Sequence, residues 1–91
     1  MIRVLVLYSE QPDPEAYEQH VGRAREQVPG ATIRHGRVLG GVPDPDVGYY
    51  AEFEFPDRDA WKAGQDGLTA AAEDAQQQLG VPFRVYFTDI A

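Results

Sequence analysis

The sequence predicts an α+β fold: one four-stranded antiparallel sheet with two helices packed on one of its faces. Three observations predict it. Four short segments carry apolar residues at strand period, two intervening segments carry them at helical period behind clear cap signals, and the order is β-α-β-β-α-β. The chain has 91 residues, enough for one hydrophobic core, so residues 1–91 read as a single domain.

Residues 2–9, IRVLVLYS, form the first strand. Ile2, Val4, Val6 and Tyr8 share one face, with Leu5 and Leu7 on the other. A strand that is apolar on both faces is central in its sheet and covered on both sides. Asp13-Pro14 then starts a helix, with an acceptor side chain at the N-cap and proline at the first helical position. Glu15 adds negative charge at the positive end of the helix dipole. Tyr17, Val21, Ala24 and Val28 follow helical spacing, and Pro29-Gly30 ends the helix.

Residues 31–39, ATIRHGRVL, read as a second strand with Ile33, His35, Arg37 and Leu39 on one face, polar enough for a sheet edge. Residues 40–46, GGVPDPD, are an exposed loop. Residues 47–55, VGYYAEFEF, alternate cleanly: Val47, Tyr49, Ala51, Phe53 and Phe55 against Tyr50, Glu52 and Glu54. Asp57 caps a second helical segment, which Gly64 and Gly67 kink or break. Leu68, Ala72, Ala75 and Leu79 continue it as a core stripe up to Gly80. Residues 83–89, FRVYFTD, are the last strand. This order has one usual solution, the ferredoxin-like sandwich with strands one and three central. Two short helices cover one face of such a sheet. The other face carries Tyr50, Glu52, Glu54, Tyr86 and part of strand one. A mixed face of that kind predicts an interface, and its simplest cover is a second copy packed sheet to sheet. The expected assembly is a homodimer, barrel-like around a cavity.

Composition excludes several classes of function. Fifteen acids against eight bases give a net charge of −7, whose field repels a phosphate backbone, so no nucleic-acid partner is expected. The absence of cysteine removes disulfides, thiolate nucleophiles and cysteine-ligated metals. No apolar run reaches the ~18 residues of a membrane span, so no membrane partner is expected. The start, MIRVLVLY, enters a strand directly with no small-residue cleavage site, and a cytoplasmic location is expected. Neither an H-x-x-x-H pair nor a G-x-G-x-x-G or G-x-x-x-x-G-K loop is present, so the expectation is no metal and no cofactor.

Residues 2–17, IRVLVLYSEQPDPEAY, resemble the opening of the EthD-like family of dimeric α+β barrel proteins. VLGG in strand two, YYAEFEF-PDRDAW and the GQDGLTAAAEDA helix are similar to later parts of that family. The resemblance implies a dimeric α+β barrel in a superfamily that includes cofactor-free monooxygenases, polyketide cyclases and stress proteins. The family's Tyr/His-x-x-x-His-x-Pro-Leu segment is replaced by EQHVGRAREQVPG, in which His20 lies near the family's aromatic or histidine position. An activity that depends on the missing His-x-Pro-Leu does not carry over.

The candidate site residues follow from chemistry. His20 precedes Val21 on the helix stripe, and an imidazole that titrates near 6.5 suits a general base at neutral pH. Glu52 is a second candidate base: it stands beside Glu54 and Tyr50, and burial and like charge raise a carboxyl if the non-helix face lines the cavity. The bland reading of the two glutamates is ion pairing with Arg34, Arg37 or Arg84. Tyr8, Tyr50 and Tyr86, with His35, are the candidate ligand contacts, since phenols orient flat or carbonyl-bearing molecules. Three readings stay open: a dimer that binds a small apolar or aromatic molecule, a metal-free and flavin-free monooxygenase or cyclase, and a structural or stress-related interaction module.

Overall fold

The computed structural model describes residues 1–90. Its elements run β1 (Ile2–Tyr8), α1 (Pro14–Gln27), β2 (Thr32–Arg37), β3 (Tyr49–Phe55), α2 (Arg58–Ala63), α3 (Gln65–Gln78) and β4 (Phe83–Asp89). The sheet has four strands in the order β2-β3-β1-β4, and every pairing is antiparallel. This is the ferredoxin-like arrangement, and β1 and β3 are central as their apolar content requires. No helix among the described residues is long and apolar enough to cross a membrane.

Local chemistry sets the helix ends. The Asp13 carboxylate accepts the Ala16 N–H at 2.9 Å, with Pro14 directly after the cap. The Asp57 carboxylate accepts the Ala60 N–H at 2.8 Å and starts α2 in the same way. The expected break in the second helical segment occurs at Gly64, which closes α2 and opens α3. Gly67 breaks nothing. It sits inside α3 where the C-terminal end of α1 crosses, and a Cβ there would overlap the Gln27 carbonyl oxygen. The residue read as a helix breaker is the point of closest helix approach.

Strand β2 is shorter than the apolar pattern through Leu39 predicts. Pairing with β3 stops at Arg37 opposite Tyr49, one more bond joins the Val38 N–H to the Gly48 carbonyl at 3.0 Å, and Leu39 is exposed. Val47 and Gly48 likewise precede β3 instead of belonging to it.

The core lies between the sheet and the helices. Ile2, Val4, Val6 and Tyr8 from β1 and Tyr49, Ala51, Phe53 and Phe55 from β3 meet Tyr17, Val21, Ala24 and Val28 of the α1 stripe. Phe55 is fully buried, and removing a side chain of this class from water stabilises a fold by about 1.5–3 kcal/mol. On α3 the buried stripe is Ala71 and Ala75, with Leu68 and Leu79 half-buried against it. Small residues there let α3 lie close to α1.

The opposite face of the sheet has no covering layer within the chain. Arg3, Leu5 and Leu7 alternate outward along β1, level with Glu54, Glu52 and Tyr50 of β3 and with Thr88, Tyr86 and Arg84 of β4. The Tyr50 ring lies over Gly36 of β2, where a Cβ would stand 3.2 Å from the ring. This outer face mixes apolar and charged residues, as expected from the alternation.

Candidate functional site

The two long helices, α1 and α3, leave the margins of the four-stranded sheet open even on the helix side. At the β4 margin, a cavity of about 260 Å³ lies between α3 and the inner face of β1 and β4. Val4, Val6, Phe83, Val85 and Phe87 form its floor, and Leu68, Ala71, Ala72 and Ala75 form its roof. Its polar side chains are Tyr8, His20 and Thr69. A cavity of roughly 150 Å³ accommodates benzene, so this one has room for one or two rings. Val85 and Phe87 remain partly open to solvent along its rim.

His20 is the chemically distinctive member of that lining. It lies on the α1 stripe, buried with 4% of its surface exposed. Its Nδ1 lies 2.7 Å from Oδ2 of Asp74 on α3. The Asp74 carboxylate also accepts from Arg23 Nε, at 3.0 and 3.1 Å to its two oxygens. Burial works against the charge on Asp74, but the hydrogen bonds from His20 and Arg23 outweigh it and hold the carboxyl below its ordinary value. A carboxylate only accepts, so the contact places a proton on His20 Nδ1 and fixes the ring at the cavity wall. A buried base, oriented by a third group and placed at the wall of an apolar cavity, can accept a hydrogen bond or a proton from a bound molecule.

An aromatic cluster links this cavity to the other end of the sheet. Tyr17 is at its centre, with ring centroids 5.6 Å from Tyr8, 5.6 Å from His20, 5.0 Å from His35 and 5.0 Å from Tyr49. Burial raises the phenols of Tyr8 and Tyr17, so both stay neutral at physiological pH. His35 Nδ1 lies 2.6 Å from the Tyr49 hydroxyl. Burial, and after it the charge of Arg25, holds the His35 imidazole below its ordinary value.

The sequence-predicted residues therefore separate. His20 and Tyr8 meet at the cavity under α3. His35 stands at the far margin of the sheet, in a cleft beside α1, and does not share that cavity. Glu52, Tyr50 and Tyr86 lie on the outer face, so Glu52 and His20 are on opposite sides of the sheet and form no joint catalytic pair. The cavity of the single chain lies under the helices, and the outer face that carries Glu52, Tyr50 and Tyr86 takes no part in it. Glu52 is held by Arg34 Nη1 at 3.3 Å and Arg3 Nε at 3.5 Å. Glu54 is held by Arg3 Nη2 at 2.8 Å, and that hydrogen bond keeps its carboxyl below the ordinary value. The ion-pairing reading of these acids is the one the structure shows, with Arg34 as expected and Arg3 in place of Arg37 or Arg84.

Asp74, Arg23 and Tyr17 were not singled out by sequence reasoning. A signal for Asp74 existed: it falls between Ala71 and Ala75 on the buried stripe of α3, and a carboxylate there requires a partner. The position of that partner on α1 is not a local property. Among the described residues, no group of three or more His, Asp or Glu side chains is placed to hold a metal ion.

No protein-family model and no curated protein sequence matches this chain. Solved structures do match it along its length. An EthD family protein from Bacillus halodurans superposes with a TM-score of 0.73 at 20% identity, covering 100% of this chain and 99% of its own. SnoaB, a cofactor-independent oxygenase from Streptomyces nogalater, superposes at 0.64 with 16% identity over 98% of this chain and 91% of its own. A dimeric ferredoxin-like protein of unknown function from Thermobifida fusca superposes at 0.62 with 19% identity over 98% and 90%. The chain has the ferredoxin-like fold that these structures share. At these identities the likeness is one of fold.

Proposed function

We propose that this chain binds a small, flat, mostly apolar organic molecule in the cavity beneath α3. The observation that carries the reading is the placement of one buried imidazole, held by Asp74, in an otherwise apolar lining of one- or two-ring size. The walls supply affinity by removing apolar surface from water, and His20 Nε2 supplies orientation through a hydroxyl or other donor on the ligand. The open cavity favours this role over that of a purely structural module, which would have packed the space with side chains.

The working unit proposed is a homodimer, paired through the outer sheet face. Leu5, Leu7, Tyr50 and Tyr86 supply its apolar area, and the Arg3–Glu52–Arg34–Glu54 network lies among them. The similar Thermobifida fusca protein is described as dimeric.

A second reading is supported by the same dyad. A ligand with a weakly acidic O–H or C–H could transfer that proton to His20 Nε2, with the imidazolium stabilised by Asp74. Cofactor-free monooxygenase or cyclase chemistry on an aromatic or polyketide-like substrate begins with such a step, and SnoaB, similar in fold, is a cofactor-independent oxygenase.

The test is a thermal-shift screen with naphthalene- and naphthol-sized compounds, read on wild type and His20→Phe. Stabilisation of wild type that weakens for hydroxylated compounds in the variant supports binding with His20 as the orienting group. No stabilisation by any apolar or aromatic compound overturns it. Turnover by wild type that His20→Phe abolishes selects the enzymatic reading.

A further inference from the structure

The second margin of the sheet, at β2, carries a different chemistry. A cleft of about 350 Å³ runs between α1 and the inner face of β2 and β3. Pro12 lines it just ahead of the helix, its α1 side is the stripe Pro14, Tyr17, Glu18, Val21 and Arg25, and its sheet side is His35 and Tyr49. In a chain of net charge −7, this cleft carries one arginine and one histidine. Arg25 lines the cleft and makes no ion pair among the described residues, whereas Arg3, Arg23, Arg34 and Arg58 are all paired. Arg37 stands on the inner face of β2, opposite Tyr49. Arg25 is near enough to His35 for its charge to disfavour the imidazolium, a repulsion that an anion between them would relieve. The Tyr49 hydroxyl holds His35 Nδ1 at 2.6 Å and orients the ring.

We propose that this cleft binds a small organic acid, its carboxylate between the Arg25 guanidinium and the His35 imidazole, and its apolar body against Tyr17, Val21 and Pro12. Guanidinium and imidazole N–H groups make charge-assisted bonds to a carboxylate, while Tyr17 and Val21 in the lining favour an apolar body over a bare ion. Glu18 is the one acid in the lining. It lies seven residues before Arg25, about 10.5 Å along the helix axis, and so repels acid at the far end of the cleft and sets the direction of the bound molecule. The site is separate from the cavity under α3, which has His20 and no arginine in its lining.

Imidazole NMR tests the proposal, because the chain has two histidines and His35→Gln assigns them. Wild type, Arg25→Gln and Ala72→Phe are titrated with benzoate, benzyl alcohol and inorganic phosphate to millimolar concentrations. Benzoate is expected to move the His35 signals in a saturating way and to raise the pH at which that ring titrates. Benzyl alcohol is expected to bind at least ~10-fold more weakly, and Arg25→Gln to weaken benzoate by a similar factor, the scale of one charge-assisted hydrogen bond. Ala72→Phe, which fills the other cavity, is expected to leave the benzoate response unchanged. Equal binding of benzyl alcohol, an unaltered Arg25→Gln, or loss of the response in Ala72→Phe would each overturn the assignment. Phosphate binding as well as benzoate would overturn the organic-acid class.

Discussion

Nδ1 of His20 and Oδ2 of Asp74 lie 2.7 Å apart, although 54 residues separate them in the chain. The contact joins α1 to α3, turns a histidine on a helix stripe into an oriented base, and places it at the wall of the largely apolar cavity under α3.

Removing the acid tests that contact. Asp74→Ala leaves the buried Nδ1–H of His20 without an acceptor and is expected to cost about 1.5–3 kcal/mol of stability in urea denaturation. Asp74→Asn keeps an acceptor oxygen and is expected to cost less. The pH dependence has a definite sign. The folded carboxyl lies below its ordinary value of 3.8, so its stabilising contribution is complete above that value and is lost as pH falls through the folded one. Wild type should therefore lose stability below about pH 4 more steeply than Asp74→Asn. Parallel curves would show that the ion pair contributes nothing in the folded state.

Filling the cavity separates binding from folding. Ala72 lines the roof and is only half-buried, so a larger side chain can enter the cavity without displacing the core. Ala72→Phe should abolish the thermal shift given by aromatic ligands while leaving the circular dichroism spectrum of wild type. An undiminished shift would place the ligand elsewhere.

Gly67 is expected to be among the least tolerant positions in α3, although a helix interior ordinarily favours alanine over glycine. The added methyl would overlap the Gln27 carbonyl oxygen, backbone that cannot rotate away. Gly67→Ala should destabilise by about 2 kcal/mol or more, and Gly22→Ala, with open space around its Cβ position, should be neutral or stabilising. Chemical denaturation of the two variants side by side checks the contrast.

Leu7 lies on the outer face between Tyr50 and Arg84. If that face pairs two copies, Leu7→Glu buries a charge at the interface and should yield a folded monomer by light scattering. Arg84 beside it can pair with the new carboxylate in the monomer, so folding should survive. A wild-type protein that is already monomeric at micromolar concentration would remove the dimer from the proposal.

Much of the architecture is legible in the residues. The two-residue period of β1 and β3, the Asp13-Pro14 and Asp57 caps, and the apolar content of β1 on both faces determine the elements, their buried faces and the central strands. Those signals are local: a side chain's face depends on its own period, and a cap on its next three residues. Tertiary structure alone decided how the helices lie across the sheet. That placement leaves the β4 margin as an apolar cavity and the β2 margin as a polar cleft, brings Asp74 to His20, and puts Glu52 on the far side of the sheet from both. The decision rests on helix packing at Gly67, Ala71 and Ala75, where small side chains permit close approach of α1. A distance between residues 54 positions apart follows from that packing and from no period in the chain.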